Sequence, residues 1–295
     1  MRKRFSCVDF LTFSFLIFLL LLTVLSRKNL PSWKPLFLFY STLFLLLLLL
    51  PSLKGQRAFR ILYDFYPIPY IILIYESLGE ITPYLVEGAD PLIIHWQARI
   101  FGLQPSVWLE RFTHPLLTDL LSLAYLSYYF LPLFLIFLLY FKGEEVFQEG
   151  LLLLVLGYYL SFLGYIFVPT LGPRFALSHL FQRPLEGGIV TKVTALLNSL
   201  EHNPRDCFPS GHTQIALLCL VLARRHLRVL FWVYLPIVIA LIFSTLYLRY
   251  HYLIDVMAGV TFAGVTLMLE GVIARWCRCG TSCTSSRPRP LSPFA

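Results

Sequence analysis

The sequence predicts an all-α fold, a polytopic membrane helical bundle of about eight transmembrane helices, six of which form its core. The chain has 295 residues, of which 58% are apolar and 14% charged, and its mean hydropathy is +0.72. Soluble domains carry about 25% charged residues, so the bilayer must act as the solvent for this much apolar surface. Apolar runs of about 20 residues recur along the chain, and such a run crosses a bilayer as a helix because a helix satisfies its own backbone polar groups.

Seven apolar runs are clear spans, and they cover about residues 10–26, 35–51, 117–141, 150–168, 210–223, 229–249 and 251–273. An eighth run, at about 61–79, contains Asp64, Pro67, Pro69 and Glu76. Proline interrupts the hydrogen-bond ladder of a helix, and carboxylates are costly in lipid. The pattern therefore leaves two interpretations of 61–79 open, a kinked span and a re-entrant element.

The spans divide the chain into three segments. Residues 1–59 contain two N-terminal transmembrane helices, residues 60–274 form a membrane domain, and residues 275–295 form a basic Cys/Ser/Pro tail that we expect to be disordered. Two polar stretches interrupt the middle segment. Residues 80–116 predict interfacial amphipathic helices, and residues 169–209 form a long loop, which is uncommon unless it is functional.

Basic residues predict the orientation of the chain, because cytoplasmic loops are enriched in Lys and Arg. The N-terminal Arg-Lys-Arg, the 224–228 connection and the tail are strongly basic, and we place all three inside. The basic loop 27–34 disagrees, but 224–228 is the denser signal. The loop 169–209 and the junction 249–255 then both face the non-cytoplasmic side, so two distant segments rich in His, Arg and Asp meet there.

The tetrapeptide Pro209-Ser210-Gly211-His212 begins one of the spans. Proline, serine and glycine suit a helix start, and the free N–H groups and dipole of a helix N-terminus bind phosphate. Ser210 and Gly211 would let the backbone approach an oxyanion, with His212 beside it. For the tetrapeptide alone, the alternative is a capped helix with an interfacial histidine.

A second segment runs from Arg249 to Asp255 and contains His251 four residues before Asp255, on one helix face. A carboxylate bonded to one imidazole nitrogen fixes the tautomer and leaves the other nitrogen as nucleophile or base. The alternative is a His–Asp pair that only satisfies itself. Together the two segments indicate phosphoryl transfer, which needs cations around an anionic group. Arg249 and Arg174 are the candidate cations.

These residues resemble the motifs of the type 2 phosphatidic acid phosphatase superfamily. Pro209–His212 matches its Pro-Ser-Gly-His motif, and His251 and Asp255 match the following motif at the correct spacing. Thr245 stands where that motif has an arginine, and the first motif is altered around Arg174. These departures are similar to the branch that contains inositol phosphorylceramide synthases and their bacterial relatives.

The resemblance implies a lipid-phosphate phosphatase or phosphotransferase with a six-helix catalytic core. In such an enzyme His251 attacks phosphorus and forms a phosphohistidine, Asp255 orients the imidazole, and His212 protonates the leaving alcohol and then activates water or an acceptor alcohol. The phosphate oxygens are bound by four residues, Arg174, Ser210, Gly211 and Arg249. No cofactor and no metal is expected, in agreement with the lack of an acidic cluster in the sequence.

The expected partners are a lipid phosphate substrate and the bilayer, in an integral membrane protein of the plasma membrane or, in a bacterium, the inner membrane. Nucleic acid is not expected, because no basic stripe marks a soluble face, and the sequence does not specify an oligomeric state. The alternative function is a non-enzymatic membrane transporter or scaffold that retains an anion site. That alternative predicts no turnover and an unchanged function after His251→Ala.

Overall fold

The computed structural model describes residues 5–51, 57–200 and 202–282. Within these ranges the chain forms helices and no strand, which confirms the all-α prediction. In chain order the α-helices are α1 (Cys7–Leu25), α2 (Trp33–Leu49), α3 (Arg57–Phe65), α4 (Pro67–Leu78), α5 (Thr82–Leu85), α6 (Asp90–Phe101), α7 (Pro105–Leu109), α8 (Pro115–Lys142), α9 (Glu144–Phe167), α10 (Pro173–Ala176), α11 (Ile189–Leu200), α12 (Gly211–His226), α13 (Arg228–Tyr247) and α14 (Leu253–Ser282). Single 3₁₀ turns occur at Glu110–Phe112 and Ser178–Leu180.

Five of the described helices, α1, α8, α9, α13 and α14, are long and apolar enough to cross a membrane. Two further apolar helices are shorter, α2 with 17 residues and α4 with 12. On α8 and α13, the side chains of Phe130, Phe141 and Val229 are 69, 71 and 81% exposed. Apolar side chains this exposed on long apolar helices are expected to contact lipid. The polytopic helical bundle predicted from the sequence is therefore confirmed.

The ambiguous run at 61–79 folds as two helices, α3 and α4, which meet at Tyr66. Pro67 begins α4, where its missing N–H costs no intrahelical hydrogen bond. This region is held to α1 because Tyr63 and Tyr66 donate hydrogen bonds to the buried carboxylate of Asp9. The 12 residues of α4 span about 18 Å, so this helix alone is shorter than a hydrocarbon core of about 30 Å.

Of the two polar stretches, 80–116 contains helices, as the sequence predicts, and 169–209 is more helical than the predicted loop. The stretch 80–116 contains α5, α6 and α7, whereas 169–209, predicted as a long loop, contains the 12-residue helix α11. The start of α11 is stabilised from another helix, since Asp119 of α8 accepts hydrogen bonds from the main-chain N–H groups of Gly188 and Thr191. A cap that comes from elsewhere in the fold leaves no start signal in the local sequence.

Helix α9 is the centre of the bundle and packs against α1, α4, α8, α12 and α14. Of its most apolar segment 78% is buried, against 28–39% for the other four long apolar helices. Gly150, Gly157 and Gly164 recur along it at seven-residue intervals. A Cβ at Gly157 would lie 2.6 Å from Leu218 of α12, and one at Gly164 would lie 2.1 Å from Cδ of Pro209. Small residues allow close approach between membrane helices, so α9 positions both α12 and the turn before it.

The C-terminal boundary differs from the predicted one. Helix α14 continues through Ser282, so residues 275–282, predicted to begin the disordered tail, are helical. Residues 283–295 of that tail lie outside the described residues, as do the three basic residues at the N-terminus that entered the orientation prediction.

Candidate active site

The turn that begins α12 carries the Pro209–His212 tetrapeptide, at the helix start that the sequence predicts. Ser210 is the N-cap, and its buried hydroxyl accepts a hydrogen bond from the main-chain N–H of Thr213 at 3.3 Å. Gly211 is required by packing, because a Cβ there would lie 2.2 Å from the hydroxyl of Tyr165 on α9. Ser210 and Gly211 therefore fix the backbone at this helix end.

A five-residue turn between α13 and α14 presents His251. Arg249 adopts a φ of 66°, in the left-handed region. The main-chain N–H groups of Tyr250 and His251 both donate to the carbonyl of Thr245, at 2.9 and 3.1 Å. The side chain of Thr245 donates to the carbonyl of Ile242 within its own helix. The related motif has an arginine at this position. Here Thr245 supplies no cation, and its carbonyl stabilises the turn that carries His251.

The imidazoles of His212 and His251 face each other across the two turns. Nδ1 of His212 lies 3.2 Å from Nε2 of His251, and the ring centroids are 5.3 Å apart. The side chains belong to different helix ends and are 39 residues apart in the chain. Nitrogen atoms this close are at hydrogen-bond distance, so the structure brings together the two histidines that the sequence pairs.

The orientation of His251 is set by a main-chain contact. Its Nδ1 lies 2.9 Å from the carbonyl oxygen of Cys207. Because a carbonyl only accepts hydrogen bonds, Nδ1 is assigned the hydrogen and Nε2 the lone pair. The lone pair therefore points towards His212, and Nε2 is the atom available for nucleophilic attack.

Asp255 is fully buried beside His251, but its contact with the imidazole differs from the predicted one. The Nδ1–Oδ2 distance is 3.8 Å, longer than a hydrogen bond. Oδ2 instead accepts from the N–H of Tyr252 at 2.7 Å and from the thiol of Cys207 at 3.0 Å. Oδ1 has no hydrogen-bond partner in the described part of the chain. The Cys207 carbonyl occupies Nδ1, so no hydrogen bond joins Asp255 to the imidazole.

Arg174 lies beside the histidine pair. The guanidinium carbon is 4.9 Å from the ring centre of Tyr250, which stacks on Tyr125. Its main-chain N–H donates to the carbonyl of Arg249 at 2.9 Å, which ties the 172–174 loop to the turn that carries His251. Among the described residues its guanidinium forms no ion pair, so this cation can serve an anionic ligand.

Arg249 lies in a different position from the one expected of a phosphate ligand. Its guanidinium donates to the carbonyl of Arg183 at 2.7 Å and lies 3.4 Å from the carboxylate of Glu110. It also lies over the ring of Phe181, with 3.9 Å between the guanidinium carbon and the ring centre. These contacts hold the loop around Phe181 against the turn. The Nε of Arg249 has no hydrogen-bond partner among the described residues, and its contact with phosphate stays a prediction.

Asp90 is a central residue of the scaffold around the site. Its buried carboxylate accepts hydrogen bonds from the N–H groups of Leu171 and Gly172 and from the hydroxyl of Tyr252, each at 2.9 Å. One side chain therefore holds both the loop that leads to Arg174 and the turn that leads to Asp255. Its partners lie 81, 82 and 162 residues away, so no local pattern marks it.

Aromatic rings of α8 close one side of the site. Tyr125 stacks on His212 with centroids 4.8 Å apart and on Tyr250 with centroids 4.3 Å apart. The ring centre of Tyr128 lies 4.2 Å from that of His212. The two tyrosines are three residues apart and share a helix face, which is the signal that could have located them. They restrict the His212 ring and reduce the access of water to it.

One group of side chains has the composition of a metal site. The potential ligand atoms of Cys207, His251 and Asp255 all lie within 4.8 Å of one another, and sulfur, nitrogen and oxygen ligands suit zinc. A zinc-bound thiol or imidazole nitrogen has lost its hydrogen. Here the thiol and Nδ1 are hydrogen-bond donors to Asp255 and to a carbonyl, so the arrangement fits a hydrogen-bonded network better than a metal centre.

The fold is a helical membrane bundle in which two histidines lie at adjoining helix ends. The chain matches the family model described as the PAP2 superfamily over residues 92–269, more than half of its length. It therefore belongs to this superfamily, whose membership supports a phosphatase or phosphotransferase function for an integral membrane protein. The match extends from α6 to α14, so α1 to α5 lie outside it. No curated protein and no solved structure matches the chain.

Proposed function

We propose that this protein is a lipid-phosphate phosphatase or phosphotransferase that acts through a phosphohistidine on His251, at the non-cytoplasmic face of the membrane. The observation that carries the proposal is the distance of 3.2 Å between Nδ1 of His212 and Nε2 of His251. A lipid substrate fits the surroundings, because the histidines lie at the ends of helices that belong to an apolar membrane bundle. The basic 224–228 segment supports the orientation, since it lies at the opposite end of α12 from His212.

In the first step the phosphoryl group displaces His212 from its contact with Nε2 of His251, and Nε2 attacks the phosphorus of the substrate. His212 takes up a proton when the anionic substrate binds beside it. A P–N bond then forms, the P–O bond to the lipid alcohol breaks, and His212 gives this proton to the departing oxygen. Negative charge on the phosphoryl oxygens is stabilised by Arg174 and by the N–H groups at the start of α12. The Cys207 carbonyl keeps the hydrogen on Nδ1, so the lone pair remains on the attacking nitrogen.

In the second step the acceptor loses its proton to His212 and attacks the phosphohistidine. The P–N bond breaks, the phosphoryl group moves to the acceptor oxygen, and both imidazoles return to their starting forms. Water as acceptor makes the enzyme a phosphatase, whereas the alcohol of a second lipid makes it a phosphotransferase. The similarity of the altered first and third motifs to inositol phosphorylceramide synthases favours an alcohol acceptor for a substrate with a phospho-headgroup.

The first prediction tests both the chemistry and its lack of a metal requirement. Purified wild-type protein in detergent should convert phosphatidic acid, a polyprenyl pyrophosphate, phosphatidylglycerophosphate, or phosphatidylinositol with ceramide, in the presence of EDTA. Free phosphate and new lipid products are measured together, so hydrolysis and transfer are separated. His251→Ala should lower the rate on the order of 10³-fold or more, because the nucleophile is lost.

The matched control is His202→Ala, which removes an exposed histidine that pairs with Glu76 and lies away from the two imidazoles. Its rate should equal that of the wild type. Full activity of His251→Ala, or a strict need for a divalent metal, would contradict the mechanism. No turnover of any lipid by the wild type would favour the transporter or scaffold alternative.

A further inference from the structure

Cys207 contacts the candidate nucleophile and its carboxylate at the same time, although it belongs to neither motif. The residue is 2% exposed and follows α11 in the stretch that leads to α12. Its carbonyl oxygen lies 2.9 Å from Nδ1 of His251 and its sulfur 3.3 Å from the same nitrogen. The sulfur also lies 3.0 Å from Oδ2 of Asp255. Main chain and side chain of one residue therefore meet both members of the predicted His–Asp pair.

The thiol of Cys207 is a hydrogen-bond donor here. Burial, together with the negative charge of Asp255, raises the pKa of the thiol well above its ordinary value, so the sulfur keeps its hydrogen. A protonated thiol has one hydrogen to give, and an anionic carboxylate is a stronger acceptor than the Tyr250 carbonyl that also lies 3.0 Å from the sulfur. Oδ2 of Asp255 thus receives two donors, the thiol and the N–H of Tyr252.

The position of Cys207 is itself fixed from the other side. Its main-chain N–H donates to the carbonyl of Thr170 at 3.2 Å. Gly172 has a φ of 84°, and a Cβ there would lie 2.9 Å from the Cys207 sulfur. The loop that leads to Arg174 therefore packs directly against the cysteine. Its carbonyl is held in place before any ligand binds, as a preorganised contact requires.

We propose that Cys207 is a positioning residue for His251: its carbonyl holds the imidazole in the tautomer with a free Nε2, and its thiol holds Asp255 at a distance where the carboxylate acts by charge alone. This inference rests on the proposed function, because it concerns the nucleophile of that reaction. It assigns to Cys207 the contact that the sequence predicts for Asp255. Without the thiol, Asp255 loses one of its two donors and exerts a stronger field on the imidazole.

The test compares three substitutions of Cys207 in the full-length protein in detergent, with phosphate release from the best lipid substrate as the readout. Cys207→Ser keeps a donor, whereas Cys207→Ala and Cys207→Val remove it, and valine also fills the space of the sulfur. We expect the alanine and valine variants to lose on the order of 10-fold in kcat with little change in KM, since only the alignment of the nucleophile changes. The serine variant should stay within about threefold of the wild type.

The pH profile separates positioning from simple loss of stability. A carboxylate with fewer donors favours protonated His251 more strongly, and protonated imidazole cannot attack phosphorus. The acidic limb of the kcat profile should therefore move to higher pH in Cys207→Ala and Cys207→Val, and should stay in place in Cys207→Ser. Cys219→Ala is the matched control. Cys219 is also a buried free thiol, but it lies on α12 about two turns beyond His212. Its profile should be that of the wild type.

Two failures are distinguishable. If wild type is active, His251→Ala is inactive, and the alanine and valine variants both keep the wild-type kcat and pH profile, the positioning role is wrong and the proposed function stands. An inactive wild type or an active His251→Ala contradicts the proposed function, and the positioning role with it. If Cys207→Ala does not fold, the comparison of Cys207→Val with Cys207→Ser tests the positioning role.

Discussion

At the scale of single residues, the two histidines differ in what surrounds them. His251 has one nitrogen committed to a main-chain carbonyl, whereas His212 is restricted by the rings of Tyr125 and Tyr128. A fixed hydrogen suits a nucleophile, and an enclosed imidazole without an acidic partner suits a group that takes up and gives away a proton. The different environments therefore support different roles for the same side chain.

The two arginines near the site are expected to respond differently to substitution. Arg174→Met should weaken inhibition by inorganic phosphate on the order of 10-fold, because a charge-assisted contact to the anion is lost. Arg249→Met should leave phosphate inhibition nearly unchanged but lower the melting temperature by several degrees, since the partly buried carboxylate of Glu110 loses its cation. Inhibition constants and thermal melts of the two variants check this. Equal loss of phosphate inhibition in both would restore Arg249 as a phosphate ligand.

At the scale of elements, the site depends on how closely α9 approaches the start of α12. Gln214 of α12 reinforces this contact inside the bundle, because its amide accepts from Ser161 of α9 at 2.6 Å and donates to the carbonyl of Gly157 and the hydroxyl of Thr266, both at 3.0 Å. Hydrogen bonds between membrane helices contribute about 0.6–2 kcal/mol each. The helix that carries His212 is thus fixed by packing at its first turn and by polar contacts one turn later.

Gly164→Ala should reduce activity without unfolding the protein. The new Cβ would lie 2.1 Å from Cδ of Pro209, so the turn before His212 must move, and a displacement of about 1 Å costs on the order of 10²-fold in rate. Gly264→Ala is the control, because a Cβ on that glycine of α14 meets no atom within 4 Å. Phosphate release and thermal melts of the two variants test the expectation. Equal rates would show that the Pro209 turn adapts without effect on the chemistry.

The spans and the two helix ends could be predicted because their signals are local. Apolar runs mark the helices, and the residues that cap α12 are adjacent to His212 in the sequence. The role of Cys207 could not be predicted, since its partners lie 44 and 48 residues away. The same holds for Arg249, whose contact with Glu110 joins positions 139 residues apart. Contacts between loops that meet only after the helices have packed leave no periodic pattern in the chain.

At the scale of the whole molecule, the polar groups separate to the two ends of the bundle. Arg225 and His226, at the end of α12 opposite to His212, pair with Glu149, and Arg225 also pairs with Glu270. Helix α12 has 16 residues, so these groups are about 24 Å from its first turn. This separation is what a membrane protein needs if one end carries the chemistry and the other anchors it at the cytoplasmic surface.

The orientation can be checked with single cysteines in a background where Cys7, Cys277, Cys279 and Cys283 are serine. His202→Cys, at an exposed position in the segment between α11 and α12, should react with a membrane-impermeant maleimide in intact cells or in vesicles of matching orientation. Glu145→Cys, in the exposed first turn of α9, should react only after permeabilisation. The reverse pattern would place the active site on the cytoplasmic side and overturn the proposed topology.

The missing side chain at Gly164 has a consequence for the substrate. The turn before His212 packs against the last part of α9, the most buried of the long apolar helices. The scaffold therefore fixes the depth of the two imidazoles in the bilayer. A lipid would have to present its phosphorus at that one level, so headgroups that hold the phosphate higher or lower would be disfavoured by their vertical position before any contact with the protein is made.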